Sequence, residues 1–134
     1  MAYKAVTQEH TAGCGIACAA SILGITYKNA LEYFNKKHVS RRGYYCNEIV
    51  KVLNKNGLNY QYTKINNKNK RILQKLGVIV FVERSKKYEI GHYVLKTNKG
   101  WMDPWINFPD LKPVKAGFEK KLPGTAQWVI YPVL

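Results

Sequence analysis

A chain of 134 residues is long enough for one small domain with its own core, spanning 1–134, and too short for two. Its 22 Lys and Arg against 8 Asp and Glu give a formal charge of +14, more than solubility requires, and suggest an anionic partner: nucleic acid, an acidic protein or a membrane surface. The plain alternative is a lysine-rich coding bias, since Lys dominates over Arg. Three cysteines without a spaced CxxC pair speak against a disulfide framework and a structural zinc site, so no metal or other cofactor is expected. A reducing compartment fits them, either the cytoplasm or one reached by delivery. No signal peptide is visible, and no stretch approaches the length of a membrane span.

In chain order, residues 14–24 read as a first helix of small apolar residues, with Gly24 as its C-terminal cap. Residues 27–37 read as a second, with Ala30, Leu31 and Phe34 at helical spacing. His38 to Gly43 is a basic connection. Residues 46–56 form a third helix with Ile49, Val50 and Leu53 inward, ended by Gly57 in the left-handed conformation. Strand signals follow: 59–65 alternates weakly, 66–71 is a polar loop, and 70–76 allows a short helical turn. The run 78–82 is a strand buried on both faces. Residues 88–97 and 99–103 read as two more strands around an Asn98-Lys99-Gly100 turn, and 128–133 as the last. The order is helices first, sheet second, which is an α+β arrangement.

Chemistry concentrates in three places. Cys14 lies between Gly13 and Gly15 at the start of the first helix, where the helix dipole favours thiolate over thiol. Gly91-His92-Tyr93-Val94-Leu95 offers a base at a strand terminus, and Asp103-Pro104 an orienting carboxylate. His10 is a rival base close to Cys14, His38 reads as exposed, and Asp110 is the second aspartate. Cys18, one helical turn after Cys14, and Cys46 read as packing residues. The basic clusters Lys36-Lys37-His38, Arg41-Arg42, 64–71 and Lys86-Lys87 alternate with Tyr44, Tyr45, Tyr60, Tyr62 and Tyr88. Such interleaving serves base stacking beside phosphate contacts, or equally a packed sheet edge with its lysines in water.

Gln8 six residues before Cys14, then His92 with its apolar strand, then Asp103-Pro104, in that order, resemble the papain-like cysteine peptidases that process double-glycine bacteriocin leaders. Gly57-Leu58 followed by an apolar strand extends the resemblance over most of the chain. It implies a papain-like cysteine peptidase fold, N-terminal helices packed on an antiparallel sheet. It also implies Cys14 as nucleophile, His92 as base, Asp103 as its orienting group and Gln8 as an oxyanion donor beside the Cys14 N–H. The activity expected is thiol-dependent hydrolysis of an amide or peptide bond in a peptide or protein substrate. The chain departs from the family at Gly13, where an acidic or amide residue is usual. Two other classes stand beside this one. One is a toxin-like effector acting on RNA or an RNA-associated protein, neutralised by an acidic immunity or inhibitor protein; the other is an inactive, peptide-binding relative.

Overall fold

A computed structural model describes residues 3–133. Three helices, α1 (Cys14–Leu23), α2 (Tyr27–Leu31) and α3 (Cys46–Lys55), precede six strands. These are β1 (Tyr60–Lys64), β2 (Ile79–Val82), β3 (His92–Thr97), β4 (Gly100–Asp103), β5 (Gly117–Glu119) and β6 (Ala126–Pro132), with 3-10 turns at Lys36–His38 and Lys70–Gln74. The strands form one sheet in the order β1-β6-β2-β3-β4-β5, every neighbour antiparallel. Among the described residues no helix is long and apolar enough to cross a membrane.

The sheet is covered on both faces, which is why β2 reads as a continuous apolar run. Ile79, Tyr93, Leu95, Met102 and Ile130 pack beneath α1 and α3, while Val80, Val82, Val94, Trp101 and Val129 fill the opposite side. α1 is apolar all round because it is buried all round, with Ile16, Ala17, Cys18, Ala19 and Ala20 fully inside. It ends at Gly24, whose φ of 69° is the left-handed cap expected of a glycine there. In α3 the inward set is Ile49, Val52 and Leu53; Val50 is only half-buried, so the expected face is rotated slightly.

Two boundaries and one element differ most from the sequence reading. The second helix stops at Leu31 instead of running to 37. Asn35 interrupts it: its Oδ1 accepts the Lys37 N–H at 3.0 Å, and its carbonyl accepts the Tyr44 hydroxyl at 2.6 Å. A short polar side chain that bonds nearby backbone competes with the helix. The third strand begins at His92, not at 88. Residues Ser85 and Gly91 both donate backbone N–H groups to the Tyr88 carbonyl, which curls the segment into turns before pairing starts. Finally, β5 is a strand of three residues inside the proline-punctuated region and was not anticipated.

Gly91 is the hinge between those turns and β3. Its φ is 79°, and a Cβ there would lie 2.1 Å from the Phe81 ring. Gly91→Ala is therefore expected to destabilise the protein by about 2–3 kcal/mol through a strained φ and a ring clash. Urea unfolding checks this, with Phe81→Leu added to the Gly91→Ala variant restoring part of the loss; an unchanged midpoint would contradict it.

Candidate active site

The sheet's alternation sends Tyr93, Leu95 and Met102 toward the helices, and His92 and Asp103 to the other face, at the facing ends of adjacent strands. There His92 Nε2 and Asp103 Oδ1 are 2.6 Å apart, both nearly sealed from solvent. The same Oδ1 accepts the Trp105 N–H at 2.9 Å, which fixes the carboxylate in the turn after β4. Tyr88 stacks on the His92 ring, centroids 4.4 Å apart and planes 6° from parallel. With Nε2 engaged, Nδ1 is the ring nitrogen left for another partner.

Cys14 neighbours His92 from the first position of α1, close enough to act on the pKa of the ring. It is 7% exposed and lines two cavities, of about 270 and 480 Å³, that meet at it; His92 and Gln8 line the larger. Among the described residues the Cys14 N–H has no backbone acceptor, as befits the first N–H of a helix. Gly13 before it is dictated by packing: a Cβ would stand 2.1 Å from the Tyr27 hydroxyl. That hydroxyl is in turn 2.9 Å from His10 Nδ1, so His10 is committed to Tyr27. His38 sits half-buried, edge-on to Tyr44, rather than exposed. Asp110 is exposed and contributes its backbone carbonyl, which accepts the Trp105 indole N–H at 2.8 Å.

The electrostatics favour a charged imidazole. Burial alone would push His92 toward neutrality, but the Asp103 hydrogen bond and then the Cys14 thiol outweigh it, and its pKa rises to about 9. Asp103 is pushed up by burial, yet the His92 hydrogen bond and charge, with the Trp105 N–H, hold it below the usual carboxylate range. The other two thiols differ. Burial, chiefly, raises Cys18, which is completely enclosed, and also Cys46, whose sulfur lies 3.6 Å from the Tyr93 hydroxyl. Both sit as packing residues.

Gln8 is 2% exposed beside the larger cavity. Its Nε2 donates to the His10 and Thr11 carbonyls at 2.9 and 3.1 Å, and its buried Oε1 has no partner among the described residues. Its backbone N–H donates to the Pro104 carbonyl, which ties the loop before Cys14 to the turn after Asp103.

Some neighbours of the site were not legible in the sequence. Glu119 is one: the β4–β5 register sets Gly117 opposite Asp103, so the longer Glu119 side chain reaches diagonally toward it. Burial first, then the Asp103 carboxylate, push Glu119 up to about 7. Tyr88 is another, hidden by its expected place in a strand. Conversely, Tyr44, Tyr60 and Tyr88 are core residues, 4–5% exposed, which removes three of the five tyrosines expected beside basic clusters from any base-stacking role. Among the described residues no cluster of three His, Cys, Asp or Glu is placed to hold a metal.

A thiol beside a buried, carboxylate-backed imidazole, at the meeting point of two cavities, is equipped for attack on a carbonyl. No curated protein matches the chain. Among solved structures, the peptidase domain of Streptococcus ComA, a bi-functional ABC transporter involved in a quorum-sensing pathway, is similar over 96% of both chains. The TM-score is 0.58 and the identity 21%, a likeness of fold. Residues 2–120 match the Peptidase C39 family. The chain therefore belongs to the Peptidase C39 family, and is a cysteine peptidase of papain-like α+β fold.

Proposed function

We propose that Cys14 is the nucleophile of this peptidase, His92 its acid and base, and Asp103 the group that orients and charges His92. The observation that carries the reading is the buried 2.6 Å His92–Asp103 pair, whose His92 lines a cavity that Cys14 also lines. His92 Nδ1 takes the Cys14 thiol proton as the sulfur attacks the scissile carbonyl, and the carbonyl π electrons move onto oxygen. Collapse of that oxyanion expels the amine, which takes its proton from His92 Nδ1. The resulting thioester is hydrolysed by a water that gives a proton to His92; as the acyl group leaves, His92 passes that proton to the sulfur and the thiol is restored.

The oxyanion finds the free Cys14 N–H at the head of α1. Gln8 is the second donor in this reading. Its Nε2 serves two backbone carbonyls in the resting structure, so it releases the longer contact, to Thr11, when the oxyanion forms. Gln8→Ala is then expected to lower kcat about 10²-fold with little change in KM. Steady-state kinetics checks it, and a rise in KM at constant kcat would assign Gln8 to loop structure instead.

The substrate proposed is a leader peptide cut after a double glycine, which rests on the family. Synthetic leader peptides with Gly-Gly before the scissile bond should be cut there and nowhere else, as read by mass spectrometry. Cleavage only at other bonds would remove the double-glycine assignment.

A further inference from the structure

Lysine is abundant everywhere in this chain, so its presence at a surface says little. Arginine is not: four occur in the whole sequence, Arg41, Arg42, Arg71 and Arg84. Three of those four line the two cavities that meet at Cys14. Arg42 is already used. It holds the Glu48 carboxylate bidentately at 3.0 and 2.9 Å and lies over the Tyr45 ring. Arg84, at the smaller cavity, and Arg41, at the larger, are exposed and have no carboxylate within 4.0 Å among the described residues. Lys86 and Lys87 add to the larger cavity, where Glu89 is the only acidic residue. A planar guanidinium suits a carboxylate in a way an ammonium does not.

We propose that Arg84 and Arg41 are specificity-determining residues that read substrate carboxylates on opposite sides of the scissile bond. The inference rests on Cys14 as the point of attack: Arg84 and Arg41 line different cavities, and Cys14 lines both. In this reading a peptide laid through both cavities passes Arg84 on one side and Arg41 on the other, and acidic residues on each flank meet a cation with no carboxylate within 4.0 Å among the described residues. Both arginines are solvated, so each contributes a modest, salt-sensitive preference.

The test is digestion of a proteome-derived peptide library by the full chain, with cut sites mapped by mass spectrometry and Cys14→Ala as the blank. Asp and Glu should be enriched on both flanks, about fivefold over Gln and Asn at low salt, and the enrichment should fade near 0.5 M salt. Arg84→Gln should abolish it on one flank and Arg41→Gln on the other, while Arg71→Gln, outside the cavities, abolishes neither. Arg84→Glu should turn the preference on its flank toward Lys. Cutting after Gly-Gly with no acidic enrichment overturns the inference and leaves the proposed function intact. Acid-flanked cutting at other bonds does the reverse. No difference from the Cys14→Ala blank overturns both.

Discussion

Cys14→Ala is expected to remove peptide turnover, a fall of at least about 10⁴-fold in kcat/KM. The chain has three thiols, and among them only Cys14 lines both cavities, sharing the larger with His92. Cys18 is enclosed in the core and Cys46 answers to Tyr93, with both thiols pushed up chiefly by burial. Neither can take over the attack. Cys46→Ala keeps the nucleophile, and turnover survives it. Removing the sulfur at 14 leaves the fold nearly untouched, because alanine fits the first turn of α1 and fills most of the same space. Unfolding curves of the variant and the parent should therefore overlay within about 1 kcal/mol while activity is absent. Retained turnover in Cys14→Ala would contradict the reading.

Asp103→Ala is expected to cost about 10³-fold, and Asp103→Asn less, because the amide oxygen can still accept the Trp105 N–H and the ring N–H. The more specific result is in the pH profile. The imidazolium is the form that pairs with a thiolate, and the pair is lost as pH rises through the His92 pKa. With Asp103 present that alkaline limb stands near pH 9. Without it, burial still opposes the charge, and the limb moves to lower pH. The same linkage reaches stability. His92 is raised from an ordinary value of 6.5 to about 9, so its pairing contributes fully below about pH 6.5 and is lost as pH climbs through 9. Asp103 has the opposite sign: lowered from 3.8, its contribution is present above that value and lost at more acid pH. The urea midpoint of the parent should fall across the alkaline window, and that of Asp103→Ala should not. An alkaline limb that stays in place in Asp103→Ala would assign the carboxylate a purely structural role.

Much of the helix side could be read directly. Small apolar residues from Cys14 onward mark a helix enclosed by neighbours, and the flanking glycines mark its tight entry. Gly13 carried a reason the sequence could not display, since it is Tyr27, a residue of the next helix, that forbids a side chain there. His92 and Asp103 were legible as a strand-terminal Gly-His and an Asp-Pro. Their neighbours were not, because those depend on tertiary register. Glu119 approaches Asp103 only through the pairing of Gly117 with Asp103, in a strand too short to give a periodic signal. The break at Asn35 has the same origin: Ala30, Leu31 and Phe34 keep helical spacing, but the Tyr44 hydroxyl binds the Asn35 carbonyl and another path wins. The basic charge was visible and its distribution was not. Composition treats Arg41 and Arg84 as two of many cations, and the fold brings each to a cavity that Cys14 also lines.

The most direct test of the central claim is the rate of iodoacetamide alkylation of each cysteine as a function of pH, read separately by peptide mass. Cys14 should react first and fastest at neutral pH, and its rate should fall sharply in His92→Ala, with Cys18 and Cys46 slow in both proteins. A Cys14 that reacts no faster than Cys46, or whose rate ignores the loss of His92, would contradict a thiol–imidazole site.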